Sequence, residues 1–400
     1  MRVVNKKILR LLKIIGIFLC VVFALEICYI LFFIKVKPIY FDGINSIISV
    51  DKSLIAVGSN NNNESHFEKA KITKYNAKKE KLFESIYNKG YNGVFFDVVV
   101  DEENLVAVGS YEMDSEEHEK GVRSALIVKY DNEGNLVYEN NFGVLDNSKF
   151  TSILNVEDGY IVVGQSVYDD MTVGLSSVGG AFIIKYNKKL EIEWKEDFGD
   201  SKTAIFNDAI IIDDYIYTVG KTDSIFGVIA KYDMDGNLIL STKFEHTDNF
   251  GFTSLIYSNN SLFVSSSIKN DDDYDAIVVK YNLDLEYEKQ VVYSNDSYER
   301  YNRILTDAHD NIIVIGTAAQ IDNKSQSINV FNHDGLIAKY DKDLEKISVV
   351  NYGDENDDYF TDIIILDGNY LVSGYSYYKD GSYLSKFITY SNALKTLEVE

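Results

Sequence analysis

Apolar and polar residues alternate along this chain in short runs that recur about every 50 residues. The clearest marker is an apolar run that ends in tyrosine, at Tyr75, Tyr130, Tyr186, Tyr232, Tyr281, Tyr340 and Tyr390. These tyrosines are 55, 56, 46, 49, 59 and 50 residues apart, and Lys precedes each of them except Tyr390. A repeat of this length that contains several short strands is typical of a β-propeller and not of independent domains.

Each repeat predicts four strands, A to D. Strand A begins with an aromatic or apolar residue, then has a variable residue, a small or charged residue and two apolar ones, as in Phe150–Leu154 and Phe360–Ile364. Strand B is rich in Val and Ile and ends on Gly58, Gly109, Gly164, Gly220, Gly316 or Gly374, with Ser265 in the fifth repeat. Glycine recurring at a strand end predicts a bend or a close approach of two backbones.

Strand C ends in the Lys-Tyr step, and a tight turn follows, as in Asp131–Asn135 and Asp233–Asn237. These Asp-rich turns resemble calcium loops superficially, but they lack the 12-residue spacing of an EF-hand, and hairpin turns account for them. Strand D ends in an aromatic residue at Tyr87, Phe142, Phe198, Phe244, Tyr293 and Tyr352.

We therefore predict an all-β fold, a seven-bladed β-propeller of four-stranded blades over residues 42–400, preceded by one N-terminal transmembrane helix. The predicted repeats are about 42–93, 94–148, 149–204, 205–250, 251–299, 300–358 and 359–400. Because the chain starts with strand A and ends with strand D, we expect closure by packing of the last blade on the first. The alternative closure recruits Lys35–Tyr40 as an outer strand.

The apolar run Ile14–Ile34, interrupted only by Glu26, is long enough to cross a ~30 Å hydrocarbon core. Five basic residues precede it, so the positive-inside rule places a short tail, residues 1–13, in the cytoplasm and the propeller outside. Residues 35–41 would form a tether. A cleaved signal peptide is the alternative, but no Ala-x-Ala-like cleavage site appears. We predict a single-pass protein of the cytoplasmic membrane.

Charge and cysteine content narrow the function classes. The net charge is −23, and the basic N-terminal segment 1–37 carries +6, which leaves −29 for the remainder. A domain this acidic repels nucleic acid, whereas cations and basic or neutral partners remain open. Both cysteines, Cys20 and Cys28, lie in the apolar run, so the predicted propeller has neither disulfides nor cysteine metal ligands.

The four-strand unit, with its glycine-ended strand B and Lys-Tyr strand C, resembles the repeats of bacterial extracytoplasmic propellers. These are the propeller-repeat surface proteins and the wider quinoprotein-like superfamily. The resemblance covers residues 40–400 and implies the fold more than an activity, because propellers of one design serve many functions. Quinoprotein dehydrogenases repeat a Trp in most units, whereas this chain has only Trp194, which disfavours a redox role.

The connections between strands B and C are predicted to be long and dissimilar, as in Asn60–Lys69, Tyr111–Arg123, Val167–Gly180 and Ala318–Asp334. Binding residues concentrate on variable loops, so we expect a protein or cell-envelope partner on the face that carries the B–C and D–A connections. Acidic residues collect in the same loops. As Ca²⁺ candidates we take Asp271, Asp272, Asp273, Asp275, Asp354, Asp357 and Asp358, against the alternative of a solvated rim.

No catalytic or cofactor-binding residue is predicted. The sequence contains no Gly-x-Ser-x-Gly, Walker A, Rossmann or paired-histidine motif, and His66, His118, His246, His309 and His333 occur singly. The leading hypothesis is a non-catalytic binding or scaffolding module. Two alternatives remain open: an extracytoplasmic glycan or peptide hydrolase or lyase that uses carboxylates at the central channel, and a purely structural surface protein.

Overall fold

The computed structural model describes residues 43–61, 68–113, 123–143, 147–170, 175–199, 204–223, 225–245, 251–270, 273–295, 298–321, 331–378 and 383–399. These residues form β-strands and turns, and none of them lies in a helix. Within these ranges, therefore, no helix has the length and apolar composition that crossing a bilayer requires. The predicted tail, transmembrane segment and tether, and the alternative closing strand Lys35–Tyr40, lie outside the described residues.

The strands follow the predicted order A to D along the chain, and within each set of four the consecutive strands pair antiparallel. The first sheet contains β1 (Gly43–Val50), β2 (Ser53–Asn61), β3 (Glu68–Tyr75) and β4 (Lys81–Ile86). The next contains β5 (Tyr91–Asp101), β6 (Asn104–Glu112), β7 (Arg123–Tyr130) and β8 (Leu136–Phe142). Then come β9 (Lys149–Val156), β10 (Gly159–Asp170), β11 (Leu175–Asn187) and β12 (Ile192–Asp197), followed by β13 (Ile205–Ile212), β14 (Tyr215–Thr222), β15 (Phe226–Asp233) and β16 (Leu238–Phe244).

An eight-stranded sheet comes next. It joins β17 (Ser254–Ser258), β18 (Ser261–Asn270), β19 (Asp273–Tyr281) and β20 (Tyr287–Tyr293) to β21 (Tyr298–Thr306), β22 (Ile312–Ile321), β23 (Phe331–Tyr340) and β24 (Lys346–Tyr352). The junction is a single parallel bridge between Tyr274 and Tyr298. The last sheet contains β25 (Asp357–Leu366), β26 (Asn369–Tyr377), β27 (Tyr383–Tyr390) and β28 (Thr396–Val399).

The first strands of the four-stranded meanders contact one another in a closed order, β1, β5, β9, β13, β17, β21, β25 and back to β1. Four-stranded antiparallel meanders around such a ring define a β-propeller. The last sheet packs directly on the first: the Ile47 amide donates to Asp362 at 2.8 Å, and the rings of Tyr75 and Phe387 lie 5.6 Å apart.

The core lies between neighbouring sheets and explains the repeated aromatic residues. The aromatic residue at the end of a fourth strand packs on the first strand of the next sheet, as with Phe142 and Phe150, whose ring centroids are 6.3 Å apart. The Lys-Tyr tyrosine packs edge-on against the first strand of its own sheet, as Tyr186 does on Phe150 at 6.1 Å. Each repeat therefore supplies both halves of an aromatic interface.

The close backbone approach predicted at the glycines of the second strands is confirmed, but the prediction that these strands end on glycine is wrong, since β10 continues past Gly164 to Asp170. A Cβ atom on Gly164 would lie 2.0 Å from the carbonyl oxygen of Lys149 on the adjacent strand, well inside van der Waals contact. In the fifth repeat, the Ser265 hydroxyl lies 2.9 Å from Thr253 Oγ1, and β17 begins only at Ser254. The missing glycine thus coincides with a shortened first strand.

The Asp-rich turns are hairpins, as predicted. In the turn after β7, the carboxylate of Asp131 accepts the backbone amides of Glu133 and Asn135, at 3.0 and 2.7 Å. Asp233 accepts the amides of Asp235 and Asn237 in the same way after β15. The hydrogen bonds from Asn135 lower the pKa of Asp131, and those from Asn237 lower the pKa of Asp233.

The prediction of long B–C loops is wrong for part of the chain. Residues 167–170 and 175–180 continue β10 and β11, with Tyr168 opposite Val178, so only residues 171–174 separate these strands. Strands β22 and β23 likewise extend to Ile321 and from Phe331. The aromatic and β-branched residues at the ends of β10 and β11 favour extended backbone, and the hairpin pairing continues through them.

Candidate functional site

The first strand of most sheets contains a β-bulge next to the channel axis. The register shifts between Phe95 and Asp97, between Phe206 and Asp208, and at the corresponding places in four other first strands. A bulge leaves one residue without a cross-strand partner and re-aims its side chain. The skipped residues and Thr253 form what we call the mouth ring: Asn45, Phe96, Thr151, Asn207, Thr253, Asn302 and Thr361.

Most side chains of the mouth ring hydrogen-bond to the next sheet. Asn45 donates to the Phe95 carbonyl at 2.8 Å, and Asn207 donates to the Phe252 carbonyl at 2.7 Å. Asn302 makes the same bond at 3.2 Å, and the hydroxyls of Thr151 and Thr253 donate to neighbouring carbonyls at 2.6 and 2.9 Å. Each Asn amide thus uses one of its two N–H groups within the ring and keeps the other as a donor, while the side-chain oxygens of Asn and Thr remain as acceptors.

The residue after each member of the mouth ring belongs to a second ring, which we call the inner ring: Ser46, Asp97, Ser152, Asp208, Ser254, Arg303 and Asp362. Arg303 is the only cation in it. Its guanidinium lies 3.0 Å from Asp362, 3.3 Å from Asp208 and 4.0 Å from Asp97. Burial opposes ionisation of Arg303, but Asp362, Asp208 and Asp97 together raise its pKa well above its usual range. Arg303 therefore stays cationic.

The carboxylates of the inner ring are saturated with hydrogen bonds. Asp97 accepts the Ile153 amide at 3.0 Å and the Ser152 hydroxyl at 2.9 Å. Asp208 accepts the Leu255 amide at 3.2 Å from the following sheet. Burial raises the pKa of Asp97, although Arg303 opposes this effect. These carboxylates hold adjacent sheets together and are not displayed to solvent as a free catalytic pair.

Two cavities lie along the channel, and Arg303 lines both of them. The mouth cavity, of about 380 Å³, is lined by the mouth ring and by Lys149, Arg300, Arg303, Tyr359, Phe360 and Tyr375. The inner cavity, of about 230 Å³, is lined by polar residues of the inner ring and by Ile47, Ile48, Leu255, Ile304 and Ile363. Since Lys149 is the first residue of β9, the mouth cavity lies at the end of the channel where the D–A connections enter.

The mouth cavity is cationic, although the protein as a whole is strongly acidic. Among the described residues that line it, none is Asp or Glu, whereas Lys149, Arg300 and Arg303 are basic. The ammonium group of Lys149 lies 5.7 Å from the centroid of the Phe96 ring. Burial lowers the pKa of Lys149, and the nearby Arg123 lowers it further. Net charge alone pointed to cationic or neutral ligands, and the local arrangement favours an anionic one.

An aromatic stack forms one wall of this cavity. Tyr359 stacks on Tyr375 and on His333, with ring centroids 5.0 Å apart in both cases. His333 Nδ1 lies 3.0 Å from Asp357 Oδ1 and 3.0 Å from the Tyr359 hydroxyl. Tyr359 lines the mouth cavity and connects His333 and Asp357 to it.

The structure does not gather the predicted Ca²⁺ ligands into one cluster. Asp271 and Asp272 lie outside the described residues, and the predicted loop residues Asp273 and Asp275 lie in β19, while Asp357 and Asp358 lie in β25. Asp275 accepts from Asn270 at 3.0 Å, and Asp358 lies 3.4 Å from the Lys386 ammonium group. Asp354 accepts from the Asn356 amide at 2.8 Å. Across the described ranges, no group of three or more His, Cys, Asp or Glu side chains could hold a metal ion.

Sequence reasoning missed the residues that build the cavity. The mouth ring occupies the variable second position of the strand A pattern, and the inner ring occupies the small-or-charged third position. A comparison of these two positions across the repeats would have shown an Asn/Thr series and a Ser/Asp series, each with one exception, at Phe96 and Arg303. His309, in the turn after β21, donates its backbone amide to Asp307 and lies away from the cavity.

Comparison with known proteins identifies the fold. No protein-family model matches the sequence, and no curated protein matches it. The structure is similar to a periplasmic gluconolactonase from Pseudomonas aeruginosa (TM-score 0.56, 10% identity, 86% of this chain and 95% of that one). It is also similar to hydrazine synthase from Kuenenia stuttgartiensis (TM-score 0.52, 12% identity, 91% of this chain and 100% of that one).

A puromycin hydrolase is a further structural neighbour, with a TM-score of 0.55 and 6% identity over 90% of this chain. This chain spans only 55% of the length of that hydrolase. At these identities the similarity concerns the fold alone. The strand topology and these neighbours identify the fold as a β-propeller.

Proposed function

We propose that this protein is a membrane-anchored, extracytoplasmic β-propeller of seven blades that binds a small polar ligand in the mouth cavity without transforming it. The observation that carries the proposal is a polar, cation-lined cavity at one end of a channel whose own carboxylates are all engaged. Pockets of about 300–1,000 Å³ are typical of small-molecule sites.

The blade count rests on the closed order of contacts among β1, β5, β9, β13, β17, β21 and β25. In this interpretation the eight-stranded sheet is two blades, since only one bridge joins β19 to β21. The resemblance of the repeats to those of bacterial extracytoplasmic and quinoprotein-like propellers supports the same interpretation.

The membrane anchor and the outward orientation rest on the sequence of residues 1–41. The expectation that a protein or cell-envelope partner meets the face with the B–C and D–A connections rests on the dissimilar sequences of those connections. The mouth cavity lies on that face, because the D–A connections enter there. A test replaces Cys20 and Cys28 with Ser and introduces Lys243→Cys on β16, whose lysine side chain is 47% exposed. Labelling of intact cells by a membrane-impermeant maleimide is expected, and labelling only after lysis would reverse the orientation.

A second candidate function is hydrolysis at the same cavity. The contact of His333 with Asp357 and Tyr359 favours it, because a histidine held by a carboxylate can act as a general base. Two structural neighbours carry the names of a lactonase and a hydrolase, which makes hydrolysis worth testing. The carboxylates of the inner ring do not favour the glycosidase mechanism, because Arg303 and backbone amides already engage them.

Ligand-observed NMR with the full-length, detergent-solubilised protein tests the proposal against a library of small polar molecules. Asn207→Phe should abolish binding by filling the cavity, since the mouth ring already accommodates a phenylalanine at Phe96. Asn155→Phe is the matched control: Asn155 also donates to a carbonyl of a neighbouring sheet, that of Val100 at 2.7 Å, but outside the cavity. Binding that survives Asn207→Phe would contradict the proposal.

Activity assays on esters, lactones, peptides and glycans run beside this screen. Turnover that His333→Ala abolishes would replace binding by hydrolysis as the function. Absence of both a ligand and turnover would favour a purely structural surface protein.

A further inference from the structure

We infer that the mouth cavity binds a carboxylated monosaccharide, that is, a uronate-type sugar acid with several hydroxyl groups and one carboxylate. This inference rests on the proposed binding function and names the chemical class of its ligand. Three features of the cavity support it, namely its ring of amide and hydroxyl groups, its cations and its one apolar ring position.

The mouth ring favours a ligand that both donates and accepts hydrogen bonds. Asn45, Asn207 and Asn302 each use one N–H on a backbone carbonyl, so each keeps its second N–H as a donor and its side-chain oxygen as an acceptor. Thr151 and Thr253 donate their hydroxyl protons to carbonyls, and their oxygens remain as acceptors. A wall of donors and acceptors is satisfied by a ligand with many O–H groups, because each hydroxyl both donates and accepts, and a sugar ring supplies hydroxyls at several positions around its edge.

The cations of the mouth cavity favour a ligand with one negative charge. Lys149 and Arg300 line the cavity beside the mouth ring, and Arg303 lies at its base with its charge already matched by three carboxylates. Arg303 is therefore committed to the inner ring. Burial of Lys149 makes an anionic partner favourable there, because a charged hydrogen bond offsets the desolvation of its ammonium group.

Phe96 supplies an apolar surface next to the cation. It takes a position that Asn or Thr occupies in the other first strands, and the Lys149 ammonium group lies 5.7 Å from its ring centroid. The C–H face of a pyranose packs on an aromatic ring while its edge hydroxyls form hydrogen bonds. A ring seated on Phe96 places a carboxylate within reach of Lys149.

Other anions and sugars fit these features less well. Inorganic phosphate would satisfy the cations and the remaining amide N–H groups, but it has no C–H face to pack on Phe96 and too few O–H groups for the side-chain oxygens of the mouth ring. A neutral sugar would satisfy the ring and leave Lys149 without its anion. The expected order of affinity is therefore glucuronate first, then glucose, then phosphate.

Isothermal titration calorimetry of the full-length, solubilised protein with glucuronate, glucose and inorganic phosphate tests this order. We expect glucuronate to bind at least about tenfold more tightly than glucose, which is the size of one charged hydrogen bond. Lys149→Gln should weaken glucuronate about tenfold and leave glucose unchanged. Arg300→Gln tests the same charge if Lys149→Gln does not fold. Lys243→Gln is the control: it removes an exposed ion pair with Asp223, in the sheet β13–β16, and should leave the affinity for all three probes unchanged.

Equal binding of glucose and glucuronate, or tighter binding of phosphate, would overturn the sugar-acid assignment. So would an unchanged glucuronate affinity in Lys149→Gln, or no binding of any of the three probes. The proposed binding function has its own test, which is the finding of a library ligand that binds the native protein and not Asn207→Phe. Failure of the ligand class is thereby distinguishable from failure of the function.

Discussion

The Nε of Arg303 donates to Oδ1 of Asp362 at 3.0 Å, which joins the first strands of two neighbouring sheets, β21 and β25. Asp362 in turn accepts the backbone amide of Ile47 at 2.8 Å, in the first sheet of the chain. One carboxylate thus links the last sheet to both of its neighbours. The stability of the closed ring should depend on the charges at its axis.

Arg303→Met is expected to destabilise the protein by about 3–5 kcal/mol, because it leaves three buried carboxylates without their cation. Chemical denaturation measures the change in free energy of unfolding. The control is Arg123→Met, which removes a side chain that is 44% exposed and whose Nε lies 3.5 Å from Glu112, so a loss within about 1 kcal/mol is expected. Similar effects of the two substitutions would show that the axial charges do not stabilise the ring.

Acid should weaken a second charged cluster, that of Asp101 with Lys129, Lys188 and Tyr160. Burial opposes ionisation of Asp101, but hydrogen bonds from these three residues outweigh it and lower its pKa to about 2 from 3.8. A lowered pKa means that the cluster stabilises fully above the unfolded value of 3.8 and loses this contribution as the pH falls toward about 2.

The corresponding prediction is that Asp101→Asn removes about 1–2 kcal/mol at pH 6 and much less near pH 2.5. Urea unfolding at the two pH values measures this convergence. The matched control is Asp235→Asn, in the exposed turn after β15, which should give the same small difference at both pH values. A pH-independent cost of Asp101→Asn would mean that its charge does not carry the interaction.

Two buried tyrosines should respond in opposite ways to loss of their hydroxyl. The Tyr160 hydroxyl donates to Asp101 and lies 3.0 Å from the Lys129 ammonium group, whereas the Tyr130 hydroxyl has no hydrogen-bond partner among the described residues. Tyr160→Phe should therefore cost about 1–3 kcal/mol, and Tyr130→Phe should be neutral or stabilising. Thermal or urea unfolding of the two variants measures these changes in the free energy of unfolding. A clear loss of stability in Tyr130→Phe would reveal a hydrogen-bond partner for that hydroxyl.

Gly164→Ala should be destabilising by about 1–3 kcal/mol or more, because the added Cβ would meet the Lys149 carbonyl oxygen at 2.0 Å. Gly180→Ala on β11 is the control, since nothing lies within 4 Å of a Cβ added there. The free energy of unfolding of Gly180→Ala should be unchanged or slightly higher. Tolerance of Gly164→Ala would indicate that the first strand can shift away from the second.

Much of the architecture follows from local sequence. The apolar runs, the Lys-Tyr steps and the turn residues predict the strands and their order, because alternation, β-propensity and turn geometry act over a few residues. The recurring glycines of the second strands can be recognised from the sequence for the same reason. The ends of β10 and β11 are strand and not the loop that the sequence predicts. Their pairing depends on the opposite strand, and local composition does not reveal it.

The sequence by itself determined a repeated four-strand unit, the aromatic residues that join neighbouring units and the absence of a local catalytic motif. Only the tertiary structure decided what lies at the axis, because each unit contributes one residue to the mouth ring and one to the inner ring. Asp97 and Arg303 are 206 positions apart in the chain, yet they share one ion cluster. Closure of the ring brings such residues together, and thereby produces a cationic cavity in an acidic protein.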